Sequence, residues 1–198
     1  MTKSLIRFFD FIFSFAGLIV LFPFLLLISL IIIFDSRGGI FFFQKRVGQY
    51  GKDFSLWKFR TMRTDSEKQG QITLGTNDSR ITGTGKFLRK YKLDELPQLV
   101  NVLNGDMSLV GPRPEVRKYV EMYSEKQKKV LEVKPGITDF ASIEYADENA
   151  ILERSTDPLK TYVEEVMPAK IMLNMKYIED PSLKNYFSII FLTLRKIF

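Results

Sequence analysis

Two adjacent carboxylates, Asp94 and Glu95, follow directly on Arg89, Lys90 and Lys92 in the run of this sequence richest in chemistry-bearing side chains. Leu93, Leu96, Leu99, Val100 and Leu103 supply an apolar stripe, so the spacing predicts a short helix over Asp94–Leu103. Asp94 stands at its start as an N-cap candidate, Pro97 is allowed in the first turn, and Gly105 can end it. Carboxylates at the positive end of a helix, with cations just before them, stay ionised and can seat a divalent ion against an anionic substrate. The same residues also fit plain helix capping beside a solvated acidic pair, and composition leaves both readings open. Downstream, Pro112-Arg113-Pro114 stiffens the backbone around Arg113, which presents its guanidinium fork to a pair of phosphate oxygens at little ordering cost. A rigid turn carrying a surface arginine fits that stretch as well.

What the chain lacks narrows the chemistry further. It contains no histidine and no cysteine. Ser-His-Asp and Cys-His catalysis, histidine acid–base work and histidine- or cysteine-held metals are therefore excluded. Disulfides are excluded too, so redox chemistry says nothing about the compartment. Any metal must be a hard cation on oxygen ligands, magnesium first and manganese second.

The net charge of +6 is concentrated in one segment. Residues 37–63 hold Arg37, Lys45, Arg46, Lys52, Lys58, Arg60 and Arg63 against Asp53 alone, and the remainder of the chain balances. This block follows the most apolar stretch, Phe11–Phe34, which has no formal charge. A basic block beside a hydrophobic anchor suggests anionic lipid head groups or a phosphorylated substrate; nucleic acid fits less well, because its basic residues spread over a larger face.

The anchor itself allows two arrangements. As a straight helix Phe11–Phe34 would measure about 36 Å, enough to cross a hydrocarbon core of about 30 Å. Pro23 near its middle favours a bend, and Lys3 and Arg7 before it with Arg37 and the basic block after it draw both flanks to the same side. A helix bent at Pro23 that enters and leaves on one face satisfies both flanks; a single-pass helix with a tolerated proline remains open. The closing segment, from Leu183 to Phe198, has an apolar face at helical spacing, which suits either a membrane interface or the core.

For the remainder, Phe41–Val47 and Asp53–Met62 read as a hairpin around Gly48-Gln49-Tyr50-Gly51, with Lys58 and Arg60 on one face of the second strand. Ser66–Arg80 reads as a polar loop. Helices are predicted at Gly85–Tyr91, Glu115–Tyr123, Glu125–Leu131, Pro158–Ile178 (broken or kinked at Pro168) and Ser182–Ile197. The fold class is α+β, mainly helical: a small globular domain with a short β-hairpin, set on an N-terminal membrane helix. The division falls between a membrane-embedded segment, 1–36, and a catalytic domain with an amphipathic C-terminal helix, 37–198.

Five ordered motifs carry a family resemblance. Leu93-Asp94-Glu95-Leu96-Pro97-Gln98-Leu99 and Gly105-Asp106-Met107-Ser108-Leu109-Val110-Gly111-Pro112-Arg113-Pro114 resemble the signature of the bacterial sugar transferases, the monotopic polyprenyl-phosphate phosphoglycosyl transferases. Lys45-Arg46-Val47-Gly48, Lys58-Phe59-Arg60-Thr61-Met62 and Lys134-Pro135-Gly136-Ile137-Thr138 match the same family in the same order, over essentially the whole chain. The resemblance implies transfer of a phosphosugar from a UDP-sugar to polyprenyl (undecaprenyl) phosphate with release of UMP, the initiating step of a surface glycan or glycoprotein oligosaccharide. It implies Asp94 as the nucleophile of a covalent intermediate and Glu95 as its partner, the two carrying magnesium. It also favours the bent, re-entrant helix, in a bacterial inner membrane with the catalytic domain on the cytoplasmic face. Lys58, Arg60, Arg89 and Arg113 are the candidates to offset phosphate charge. The partners implied are the donor, the lipid acceptor and membrane lipids, not nucleic acid; the motifs specify neither the sugar nor an oligomeric state.

The chain departs from the family pattern at two places. Phe22-Pro23 stands where many members have serine before proline, and Asp139–Asn149 replaces a Gln-Val-Asn-Gly-Arg-Asn stretch after Pro-Gly-Ile-Thr, so no donor-contacting arginine carries over there. Without the extra N-terminal membrane region of larger relatives, it reads as a minimal catalytic form. The alternative function is a membrane-anchored basic module that grips anionic lipid or nucleic acid without catalysis, but it leaves the acidic pair without a task.

Overall fold

The computed structural model describes residues 2–64 and 78–197; most of the predicted 66–80 loop lies outside the described residues. The N-terminal helix α1 (Thr2–Asp35) is continuous and includes Pro23. It starts well before the apolar run because Lys3, Arg7 and Asp10 are accommodated in it. Ile6, Asp10, Ser14, Ile28 and Ile32 are buried, a spacing that traces one face along the length of the helix. Phe8, Phe11, Phe15, Ile19, Val20, Phe22, Leu26 and Phe34 stay exposed on the rest of its circumference.

The hairpin forms as predicted, with β1 (Phe41–Val47) antiparallel to β2 (Asp53–Phe59) and Phe41 opposite Phe59. The second strand ends three residues earlier than its pattern suggests. α2 (Gly83–Lys90) is capped by Thr82, whose hydroxyl accepts from Gly85 N–H at 2.9 Å. A 3-10 turn at Leu93–Glu95 leads to α3 (Gln98–Asn104), so the predicted single helix over Asp94–Leu103 is in fact two short pieces.

A second sheet was not foreseen. β3 (Ser108–Val110) pairs in parallel with β4 (Gly136–Thr138), each only three residues long and too short to show alternation in sequence. Gly111 and Gly136 cross at the end of this pair, where a Cβ on Gly136 would lie 2.1 Å from the Gly111 nitrogen. Two of the signature glycines therefore exist for backbone approach rather than chemistry.

The predicted helix over Glu115–Tyr123 shrinks to α4 (Arg117–Val120), and Gln127–Glu132 is 3-10. After β4 come α5 (Phe140–Glu144), α6 (Glu148–Glu153), α7 (Pro158–Thr161), α8 (Met167–Glu179) and α9 (Leu183–Ile197). The predicted long helix is interrupted by a π-helical stretch over Tyr162–Val166, and Pro168 falls in the first turn of α8, where its missing N–H has no consequence. In α9, Tyr186 and Ile189 are buried with Val110 and Tyr177, while Phe191 and Leu194 are exposed. Both suggested uses of its apolar residues are thus open to it: one face builds core and the other faces outward.

Both ends of α1 are fastened to this globular part. Arg7 donates to the carbonyls of Val102 and Leu103 at the end of α3. Asp10 accepts from Leu109 N–H at 2.9 Å, Ser108 hydroxyl at 3.0 Å and Tyr186 hydroxyl at 2.9 Å. At the far end, Ile28 and Ile32 pack with Phe59 and Leu88, and Asp35 accepts from Thr84 N–H at 3.2 Å.

Candidate active site

Asp94 and Glu95 lie in the 3-10 turn that follows Lys92, which holds a left-handed backbone with φ 57°. A lysine in that region is strained, and such strain clusters where a neighbouring side chain must be aimed. Neither carboxylate caps α3: its N-cap is Pro97 and has no side-chain hydrogen bond. The helix-capping reading of Asp94 is thereby removed. So is the argument that a helix N-terminus faces the pair directly, because α3 begins three residues later.

Glu95 is clamped. Arg113 donates from both fork nitrogens to its two oxygens, one bond at 3.0 Å, and Lys58 donates to Oε1 at 3.1 Å. Lys58 reaches it because Trp57 N–H donates to the Asn101 side chain at 2.9 Å and Asn101 donates to the Ser55 carbonyl at 2.8 Å, which locks β2 onto α3. Arg113 is placed by Asp139, whose Oδ2 accepts from the Arg113 backbone N–H at 3.0 Å and from Asn174 at 2.7 Å. Burial raises the Glu95 pKa, but the charges of Arg113 and Lys58 more than offset it and hold Glu95 well below the usual carboxylate range. Arg113 is held protonated chiefly by Glu95. Burial lowers Lys58, against the opposing pull of Glu95.

Asp94 differs from its neighbour. It is 7% exposed and accepts no hydrogen bond among the described residues. Burial raises its pKa first and the Glu95 charge second, against Lys58, Arg89 and Arg113. Arg89 is close enough for that charge effect while its Nε donates to Thr61 Oγ1 at 2.9 Å. One carboxylate is thus committed to two cations, and the other stands beside them without a described partner. Such an asymmetric pair suits a nucleophile next to a charge-holding anchor.

Of the proposed phosphate-facing cations, Lys58, Arg89 and Arg113 surround the pair, and Arg60 does not. Arg60 donates to the carbonyls of Ile32 at 3.2 Å, Ser36 at 2.7 Å and Arg37, at the C-terminal end of α1. The guanidinium thus bonds one carbonyl of the last turn of α1 and the two that follow the helix, where no further helical turn supplies donors. Period-2 alternation put Arg60 beside Lys58, but β2 ends at Phe59, so the alternation no longer applies. Arg46 also turns inward, to Glu115 at 3.1 Å and the Pro114 carbonyl at 3.0 Å. The basic block therefore does not form one anion-binding face. Arg60→Met is expected to lower the melting temperature, at a cost of about 1–3 kcal/mol for the bared carbonyls, while leaving donor KM unchanged; a raised KM with unchanged melting would return Arg60 to the substrate.

No group of three or more carboxylates that could hold a metal exists among the described residues. With Glu95 committed, Asp94 is the carboxylate that would hold a magnesium ion, which would supply charge neutralisation at an anionic substrate. Magnesium is commonly bound in that way, through one or two carboxylates and substrate phosphates. The donor set fits an ion shared with substrate. Pro23, the predicted bend, is exposed and takes no part in these contacts.

Two contributors were not singled out from sequence. Asp139 carries a legible cap signal, and it does cap α5 through Ser142 N–H; its hold on Arg113 is a tertiary contact. Asn174 has no local signal at all.

Comparison with known proteins places the chain in a family. The model of the family described as bacterial sugar transferase matches residues 1–198. An uncharacterised sugar transferase, EpsL, of Bacillus subtilis (strain 168) is 51% identical over 104 residues, which is 52% of this chain and 50% of that protein. The UDP-glucose:undecaprenyl-phosphate glucose-1-phosphate transferase of Escherichia coli (strain K12) is 37% identical over 184 residues, 90% of this chain and 37% of the relative. The UDP-N-acetylgalactosamine-undecaprenyl-phosphate N-acetylgalactosaminephosphotransferase of Aeromonas hydrophila is 41% identical over 124 residues, 61% of this chain and 29% of the relative. The matched regions thus span half or less of these three relatives. With a family model covering its full length and the signature's Lys58, Asp94, Glu95 and Arg113 gathered at one place, the chain belongs to the bacterial sugar transferase family.

Proposed function

We propose that this protein is a phosphoglycosyl transferase that moves a sugar phosphate from a UDP-sugar to a polyprenyl phosphate. An Asp94 carboxylate oxygen attacks the β-phosphorus of the donor; the bond from that phosphorus to the bridging oxygen breaks, and UMP leaves. A phosphate oxygen of the lipid then attacks the same phosphorus, breaks its bond to Asp94 and restores the carboxylate. The observation that carries this reading is the buried Asp94, which accepts no hydrogen bond among the described residues, beside a Glu95 held by Lys58 and Arg113. Those cations offset the repulsion between a carboxylate and a diphosphate. Magnesium held by Asp94 would supply further charge neutralisation. The relatives named for UDP-glucose or UDP-N-acetylgalactosamine and undecaprenyl phosphate support the donor and acceptor classes.

The test is the first half-reaction alone. Protein given a UDP-sugar and magnesium without lipid is expected to release up to one UMP per enzyme and to retain the phosphosugar, which added polyprenyl phosphate then discharges. UMP release that strictly requires lipid would instead favour direct attack by the lipid phosphate.

The membrane reading is re-entrant: α1 dips into one leaflet and returns, with the globular domain at the cytoplasmic face and the exposed side of α9 in the interface. Along a straight helix Arg7 and Asp35 would lie about 42 Å apart, yet both fasten to the globular part. A helix crossing the bilayer would carry one of them to the other side. The exposed phenylalanines and aliphatics of α1 form more apolar surface than a water-soluble monomer leaves bare. Single cysteines replacing Thr2 or Lys126, in a chain with no other cysteine, are both expected to resist an impermeant thiol reagent on intact cells. Labelling at Thr2 alone would establish a spanning helix.

A further inference from the structure

Arg113 also borders a cavity of about 30 Å³, walled in part by Tyr123, Tyr162, Lys170, Ile171 and Asn174. Asn174 is 6% exposed, and its amide orientation is dictated by its neighbour. Asp139 Oδ2 also accepts from the Arg113 backbone N–H, and a carboxylate only accepts, so the group 2.7 Å from it must be the Asn174 NH₂. The carbonyl oxygen Oδ1 is then left buried, with no hydrogen-bond partner among the described residues. A bare buried acceptor is costly and calls for a donor from outside the chain.

Of the other polar side chains of the wall, Tyr162 and Lys170 have partners, while the Tyr123 hydroxyl makes no hydrogen bond among the described residues. Tyr162 donates its hydroxyl to Glu115, and Lys170 pairs with Glu148 at 2.6 Å, its ammonium 5.8 Å from the Tyr162 ring centre. The cavity therefore presents the unsatisfied Asn174 Oδ1 together with the Tyr123 hydroxyl, beside the cations Arg113 and Lys170. A hydroxyl group matches that set, because it donates one hydrogen bond and accepts others. The volume admits one or two groups of water size, which excludes a nucleobase or a whole pyranose ring. In the proposed reaction Arg113 serves the donor's diphosphate, and the sugar is the group attached to its β-phosphate.

We propose that this cavity reads one hydroxyl or hydroxymethyl group of the donor sugar, and that Asn174 is the residue that discriminates it. The inference rests on the phosphoglycosyl transferase reading and adds the sugar subsite to it. Asn174, on α8, and Glu148, on α6, both lie beyond the signature motifs, and Glu148 belongs to the stretch where this chain departs from the family pattern.

The test is a matrix of donors against proteins. The UDP-hexose giving the fastest UMP release and its monodeoxy analogues are assayed with the wild type and with Asn174→Ala. One deoxy position is expected to cost the wild type about 10²-fold in kcat/KM while the others cost little. Asn174→Ala should lose a similar factor on the parent sugar, mainly through KM, and lose nothing more on that one deoxy donor. Equal losses on every donor with a lowered melting temperature would assign Oδ1 to a structural water and overturn the proposal. Should Asn174→Ala not fold, the wild-type panel still decides, since a flat response to deoxygenation leaves no hydroxyl to be read. A wild type that releases no UMP from any UDP-sugar sinks the transferase reading itself; an active wild type with a flat panel sinks only the subsite.

Discussion

The Asp94→Asn protein is expected to fold, to bind donor and to release no UMP, a loss of about 10⁴-fold or more. Asparagine keeps the volume and removes the attacking oxygen charge. Nothing in the fold depends on that charge, since the Asp94 carboxylate caps no helix and accepts no hydrogen bond among the described residues. Melting temperature should therefore stay close to wild type, and burial of a neutral amide in place of a carboxylate could raise it. Normal turnover by this variant would remove Asp94 from the chemistry. The acid limb of the pH–rate profile provides an independent reading. Asp94 must be ionised to attack, and burial with the Glu95 charge raises its pKa. Turnover should thus fall on acidification at a pH above the ordinary aspartate value of about 3.9. Glu95→Gln removes a negative neighbour, which lowers the Asp94 pKa and moves the acid limb of the residual activity to lower pH. An upward shift in that variant would contradict the assignment.

Arg113→Lys is expected to lower kcat/KM by about 10²-fold, the scale seen when one fixed donor to a developing charge is lost. Charge is conserved, so Glu95 keeps a cation nearby and remains ionised. What disappears is the planar fork that meets both Glu95 oxygens at once. Lysine can meet one of them and leaves Glu95, and with it Lys58, free to turn. A rate within twofold of wild type would reduce Arg113 to a turn residue between two prolines. Thermal stability serves as the control, because the backbone contact from Arg113 N–H to Asp139 is retained in the variant.

How much of this was legible in the sequence differs from element to element. The hairpin was legible because each strand runs for seven residues around a glycine-flanked turn, long enough for a pattern to show. α9 was legible for the same reason, at helical period. β3 and β4 were not, because three residues hold no period and their pairing depends on two glycines 25 positions apart meeting at a crossing. Lys58 lies against the acidic pair and Arg60 does not, because alternation extrapolated past Phe59 cannot sense that the end of α1 needs donors.

By itself, the sequence determined the available chemistry. With no histidine or cysteine, it left carboxylates, cations and hydroxyls to act, and its ordered motifs set Asp94 and Glu95 side by side near Arg113. It also determined that one long helix would be apolar. The tertiary structure alone decided which carboxylate is tied and which has no hydrogen bond among the described residues, because adjacent residues in one turn differ in the side chains that reach them from β2 and from the turn after β3. It alone decided that both ends of α1 meet the same body, and that Asn174 turns a bare oxygen into a cavity beside Arg113. Periodicity and composition describe how a residue relates to its near neighbours along the chain. Hydrogen bonds between residues tens of positions apart follow from how whole elements pack, and it is those bonds that distinguish Asp94 from Glu95.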